Sequence, residues 1–377
     1  MTKSVNIIGS GIIGLAFARA FAKKGYVVNV FERSEKASGS SIRNFGMVWP
    51  IGQHKNGLLS RAMRTREIWK EVGDEAKIWY KETGSLQLLC NPIEISMGQE
   101  FFDAEKDARP NLEFYTLSQV QSKVPFINKQ HVRGALFSPT EIIVEARSAI
   151  REIPDYLQSK FQVNFHFNTT IKECHGNTIT TNFGKQYSAD FTIIASGYET
   201  QLLFPEIFAA APITISSLNM LRSHPISDTV PALCAGLSFL HYPSYEVCKS
   251  MEEYRAYCQS EFPLQIQNGV HLLVSQNPNG QLTIGDSHHY GMHHDPFQYD
   301  TVDQSILDYM DRIIQPIHFG IAQRWTGQYL KLTNGKSEWF EEIAPGTFIA
   351  NGPGGAGMTL GWGMAEEFVQ QIVGNQS

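Results

Sequence analysis

The chain opens on a short apolar run, Val5-Asn6-Ile7-Ile8, that stops at Gly9. Apolar residues at both parities predict a strand buried on both faces, as in a parallel sheet. From Leu15 to Lys24 the apolar positions recur at helical spacing and end at Gly25, which predicts a helix with a glycine stop. Tyr26-Val27-Val28-Asn29-Val30-Phe31 predicts a second buried strand, closed by Glu32. Two later runs have the same character. Phe191-Thr192-Ile193-Ile194 leads into Ala195-Ser196-Gly197, and Thr347-Phe348-Ile349-Ala350-Asn351 leads into a glycine-rich loop and a helix from Thr359 to Val373. The stretches between read differently. Leu86-Gln87-Leu88-Leu89 and Val270-His271-Leu272-Leu273-Val274, with the turn Asn277-Pro278-Asn279-Gly280, predict an antiparallel sheet.

Composition bounds the picture. The 377 residues are 42% hydrophobic and 18% charged, enough for a large core and more than one unit. A net charge of −6 with no basic run argues against a nucleic-acid or anionic-membrane partner. Cys90, Cys174, Cys234, Cys248 and Cys258 are scattered and odd in number, which suits free thiols in a reducing compartment. The first twenty or so residues superficially resemble a signal peptide. However, Arg19, Lys23 and Lys24 follow the apolar part, and a strand follows at once. With no other run long enough to cross a bilayer, the expected location is the cytoplasm.

The junction of the first strand and helix is Gly9-Ser10-Gly11-Ile12-Ile13-Gly14, the pattern GxGxxG. Its glycines allow a tight turn, close approach of the backbone to a pyrophosphate, and close helix–strand packing, while the helix N-terminus attracts phosphate. Glu32 lies about twenty residues on, where an acid binds a ribose hydroxyl; Arg33 beside it is the one feature that suits a 2′-phosphate. A nicotinamide dinucleotide needs only this cradle. The loop Gly354-Gly355-Ala356-Gly357-Met358-Thr359 adds a second helix N-terminus, whose positive end suits the negative charge of a reduced flavin. Ala195-Ser196-Gly197 is expected to pass beneath the dinucleotide. The cofactor expected from these residues is therefore FAD.

GSGIIG with Glu32, then SSIRNFG, DFTIIASG and GPGGAGMT, in that order, resemble the FAD-dependent amine and amino-acid oxidases, the D-amino-acid oxidase, glycine oxidase and sarcosine oxidase superfamily. The resemblance covers nearly the whole chain. RNFGMVWPIGQ, IGDSHHYG and RWTGQY are similar to a narrower branch that accompanies bacterial phosphonate catabolism and oxidises 2-aminoethylphosphonate or its N-methyl derivative. By resemblance, Gly39, Ser40 and Ser41 would meet the pyrophosphate. Arg43 and Asn44 would follow the ribityl chain and flavin edge, and Phe45 to Trp49, Gly46 and Met47 included, would back the ring. Relatives attach flavin covalently through a late cysteine or through a histidine near this segment. Here Arg43-Asn44 stands at the latter place and no cysteine follows Cys258, which implies non-covalent FAD. The implied fold is α/β (α+β overall). Residues 1–85, 142–215 and 315–377 form a Rossmann-like FAD-binding domain, and 86–141 and 216–314 a discontinuous antiparallel-sheet substrate domain.

The implied reaction is oxidation of a small anionic amine, with oxygen as acceptor. Arg324 matches, by resemblance, the arginine that grips carboxylate in these oxidases. Its planar fork suits carboxylate or phosphonate, and a surface ion pair is the rival reading. Tyr242 and Tyr245 are candidates to order the substrate, against core or rim packing. His288 and His289 belong to a run of four histidines and two acids between Gly285 and Asp295. We read this run as a strand end entering the active-site mouth, with no metal expected. The alternatives are a glycine- or sarcosine-type amino-acid oxidase, a dehydrogenase using another acceptor, or the flavin subunit of a heteromer. A homo-oligomer also remains open.

Overall fold

The computed structural model describes residues 3–315 and 320–374. One sheet has six strands in the order Trp339–Ala344, Thr347–Asn351, Phe191–Ile194, Ser4–Ile8, Val27–Phe31 and Asn164–His166. Its neighbours are parallel except the edge pair Trp339–Ala344 and Thr347–Asn351. Ile7 lies in register with both Ile193 and Val30, so the central strand is enclosed on both sides. Val5, Asn6, Ile7 and Ile8 are all buried, so both faces are covered here, which is why the run lacks alternation.

Two helices leave this sheet at the carboxyl ends of their strands: Ile12–Lys23 after Ser4–Ile8, and Gly357–Gly374 after Thr347–Asn351. They pack closely because Gly361 faces Ile12 and Ile13; a Cβ there would stand 3.2 Å from the Ile13 side chain. A third helix, Leu58–Ala76, locks both in place. Buried Arg19 bonds Glu71 at 2.6 Å and Glu366 at 3.3 Å. Trp69 meets Trp362 edge-on at 5.5 Å and donates to the Met358 carbonyl at 2.9 Å. Both helix N-termini are thereby held at one end of the sheet. Among the described residues, no helix is long and apolar enough to cross a membrane.

The larger sheet has nine strands among the described residues. It is antiparallel except where Ser85–Leu89 runs parallel to Ala232–Ala235. The turn expected at Asn277–Gly280 joins Leu272–Gln276 to Gln281–Gly285; Gly280 takes φ +76° and the Asn277 Oδ1 accepts from the Asn279 and Gln281 amides. One strand departs from the expected division. Ile321–Leu332 falls in the stretch assigned to the FAD-binding domain, yet it pairs along Ile213–Pro225 in the larger sheet, from Ile213 opposite Leu332 to Ser223 opposite Ile321. Its far end also bridges Lys331 to Pro353. The strand therefore belongs to one sheet while delivering side chains to the cleft of the other.

Candidate active site

Both glycine cradles open into one cleft. Gly9, Gly11, Ile12, Ile13, Glu32, Arg33, Ser40, Ser41, Asn44, Ala195, Ser196, Gly197, Gly354, Gly355, Gly357 and Met358 line it. Gly14, Arg43, Gly46, Met47, Ala356 and Thr359 stand behind its wall. A Cβ on Gly14 would lie 1.9 Å from the Gly9 carbonyl oxygen, and one on Gly46, at φ +70°, 1.9 Å from the Val144 oxygen. Thr359 Oγ1 accepts from the Trp49 amide at 3.0 Å, and Met47 is buried opposite Ile143. Ala356 turns back onto Pro353, its amide donating at 2.9 Å.

Polar groups are already ordered around this cleft. The Ser41 hydroxyl accepts from the Ile12 amide at 2.9 Å, at a helix start whose own N-cap, Gly11, gives no side-chain cap. Glu32 accepts from the Ser10 amide at 3.1 Å, the Ser10 hydroxyl at 3.0 Å and the Ser34 amide at 3.0 Å. Arg33 pairs with Glu199, which also lines the cleft, at 2.9 Å. The segment around Arg43 is clamped between the sheets. Trp325 Nε1 donates to the Arg43 carbonyl at 3.1 Å, Arg43 Nη1 donates to the Thr326 carbonyl at 3.4 Å, and Ser275 Oγ donates to the Phe45 carbonyl at 2.7 Å. Ser40, Ser41 and Asn44 of this segment line the cleft, while Met47, Val48 and Trp49 are buried.

Tyr329 lines the cleft, and its hydroxyl lies 3.1 Å from His288 Nε2. Past it, rings from three separate segments meet: His241 and His271 have centroids 3.8 Å apart, His271 and His288 4.3 Å. Burial, then the neighbouring positive charges, pushes His241 and His271 well below the ordinary imidazole value; burial takes His288 down to about 3. All three are neutral at physiological pH. Burial also pushes the Asp286 carboxyl up to about 8 and raises the Tyr329 hydroxyl. Lys331, two residues along the same strand face as Tyr329, lies near the rings and 3.4 Å from the Tyr290 hydroxyl.

The model of the DAO family, described as FAD dependent oxidoreductase, matches residues 4–371. The chain belongs to this family. Its fold is similar to glycine oxidase from Geobacillus kaustophilus, at a TM-score of 0.79 and 17% identity, covering 99% of this chain and 95% of that one. It is likewise similar to L-proline dehydrogenase from P. horikoshii (0.77, 20% identity, 99% and 94%) and iminodiacetate oxidase from Chelativorans sp. BNC1 (0.74, 14%, 98% and 95%). A curated relative, L-aspartate oxidase from Pyrococcus furiosus, is 32% identical over 104 residues, which are 27% of this chain and only 21% of that protein.

FAD is the cofactor of this DAO family member, and the cleft fits it. Gly9, at φ +105°, is so close to its neighbour that a Cβ would come within 2.4 Å of the Ala195 oxygen. A dinucleotide can approach both strand ends only because no side chain stands there. The candidates for substrate contact divide. His288 stands beside the cleft through Tyr329. Tyr242 is half-buried against Gly52 and Trp49, its ring 6.3 Å from that of Trp49. Tyr245 is 2% exposed, stacks on Phe101 and donates to Gln87 Oε1 at 3.2 Å, so it is a core residue. Arg324 does not line the cleft. It opposes Leu221 on the neighbouring strand, is 46% exposed and pairs with Asp303 at 2.9 Å. The cleft takes Tyr329 and Leu330 from this strand, five and six residues further along. His271, Tyr329 and Lys331 were not singled out from the sequence, and His241 and Asp286 were read only as members of longer segments. The readable signal was a histidine inside an apolar strand run, Val270-His271-Leu272.

Proposed function

We propose that this DAO family enzyme oxidises a small primary or N-methyl amine with an anionic head group, with 2-aminoethylphosphonate or its N-methyl derivative preferred. The products are an aldehyde and ammonia or methylamine. FAD is held non-covalently, oxygen is the acceptor, and the reaction belongs in the cytoplasm. The observation that carries this reading is the missing guanidinium at the Tyr329 end of the cleft. Among the described residues, apart from Arg33 at the Glu32 end, no arginine lines the cleft, and Lys331, two residues along the strand from Tyr329, stands outside the lining and bonds the Tyr290 hydroxyl at 3.4 Å. A carboxylate is best matched by the guanidinium fork, whereas a lysine grips a phosphate-like group as a point charge.

Bound flavin supplies the hydride acceptor. The chain supplies position and hydrogen bonding. His288 Nδ1 lies 3.3 Å from the Gly269 carbonyl oxygen, which only accepts, so Nδ1 carries the proton. Nε2 then accepts from the Tyr329 hydroxyl. The remaining lone pairs of the Tyr329 oxygen are left for an N–H of the amine, which orients its α carbon. The glycine oxidase and iminodiacetate oxidase likenesses give the amino-acid alternative a place in the test. Oxygen uptake, peroxide and aldehyde are measured with 2-aminoethylphosphonate, its N-methyl form, glycine, sarcosine and D-alanine. Turnover of the phosphonates alone is expected. Turnover of glycine or sarcosine alone overturns the head-group assignment, and flavin reduction without oxygen uptake overturns the acceptor.

A further inference from the structure

Three histidines remote in sequence meet beside Tyr329 with their ring nitrogens mutually accessible. His241, His271 and His288 each offer one nitrogen, and these atoms lie within 4.8 Å of one another. Asp286 presents its carboxylate to the same place, with Oδ1 3.9 Å from His271 Nδ1 and Oδ2 3.8 Å from His288 Nε2. Among the described residues Asp286 Oδ1 is buried with no hydrogen-bond partner. Such an orphaned acceptor is costly unless something satisfies it. His288 is also held as ligand histidines are held. Its Nδ1–H is fixed on the Gly269 carbonyl, which leaves the Nε2 lone pair facing the Tyr329 hydroxyl at 3.1 Å.

We infer that His241, His271, His288 and Asp286 form a binding site for a divalent transition-metal ion of the zinc class. Three imidazoles and a carboxylate are the donor set of a four-coordinate ion of this kind. A closed tetrahedral set places ligand atoms about 3.3 Å apart, so the rings draw inward on binding. The ion takes the His288 lone pair that the Tyr329 hydroxyl now caps and releases that hydroxyl toward the cleft. Asp286 offsets the repulsion from Lys331. One consequence rests on the amine reading above: an anionic oxygen of the substrate can add to the ion as a fifth ligand, giving the head group a Lewis-acid partner.

The site is tested without substrate, so its fate is independent of the substrate panel. FAD-loaded enzyme, cleared of adventitious metal, is dialysed against Zn²⁺, analysed for zinc per chain and titrated by calorimetry. The wild type is expected to take up one equivalent. His271→Gln and His241→Gln should weaken binding by more than the about 10–100-fold that loss of an outer-shell partner costs, with flavin absorbance retained as the sign of a folded protein. Tyr329→Phe, which uncaps the lone pair, should bind at least as tightly. His293→Gln, on the exposed segment nearby, should bind as the wild type does. Zinc X-ray absorption on the wild type gives a readout that needs no variant, and three imidazoles in the inner shell are expected. Absent uptake, wild-type affinity in His271→Gln, loss in His293→Gln, or fewer than three imidazoles would each overturn the assignment.

Discussion

The dinucleotide cleft and the chamber past Tyr329 are built by opposite means. The cleft is made of backbone: glycines that leave room, strand ends and two helix N-termini, drawn from segments with local patterns. The chamber is made of side chains from four loops and strands that share no local pattern. His241 lies after Ala232–Ala235, His271 beside Leu272–Gln276, His288 after Gln281–Gly285, and Tyr329 on Ile321–Leu332. A backbone site tolerates side-chain change wherever space permits and fails when a Cβ is added. A side-chain site fails one function at a time while the cofactor stays bound.

That contrast can be broken at three points. The largest effect is expected from Gly14→Val, because the added Cβ meets the Gly9 backbone at 1.9 Å and no side chain can yield. The protein should emerge without flavin; a yellow, stoichiometric holoenzyme would contradict the backbone account. Tyr329→Phe should keep full flavin content and lower kcat/KM for the best amine by about 100-fold, the scale of losing a positioned hydrogen-bonding group at the reacting nitrogen. Unchanged kinetics would place the reacting amine elsewhere. The smallest effect is expected from Arg324→Ala. It removes a half-exposed ion pair with Asp303, so stability should fall by about 1 kcal/mol and KM should stay within about twofold. A tenfold rise in KM would restore Arg324 as the substrate clamp.

The same contrast explains what could be read from the chain. GxGxxG, Glu32, the Ala195-Ser196-Gly197 strand end and the Gly354–Gly357 loop are local signatures, and each lines the cleft. The doubly enclosed strands were legible because burial on both faces removes alternation. The strand Ile321–Leu332 was misassigned because sequence order is not sheet order, and its partner Ile213–Pro225 lies about a hundred residues upstream. Arg324 lies at the exposed end of that strand, five residues from Tyr329, and only the pairing with Ile213–Pro225 shows which part of the strand reaches the cleft. His288 emerged from its histidine-rich run. The rings that join it come from other strands, and nothing local to His241 or His271 announces the meeting.

Head-group discrimination past Tyr329 is most directly tested by anaerobic single-turnover reduction of the bound flavin. The matched pair is 2-aminoethylphosphonate and β-alanine, which share the same carbon chain and differ only in the acid, each also as its N-methyl derivative. The flavin band should bleach at least about tenfold faster with the phosphonate pair, a difference of about 1.4 kcal/mol in the barrier. Equal or faster bleaching by the carboxylates, or none by either pair, would contradict the account.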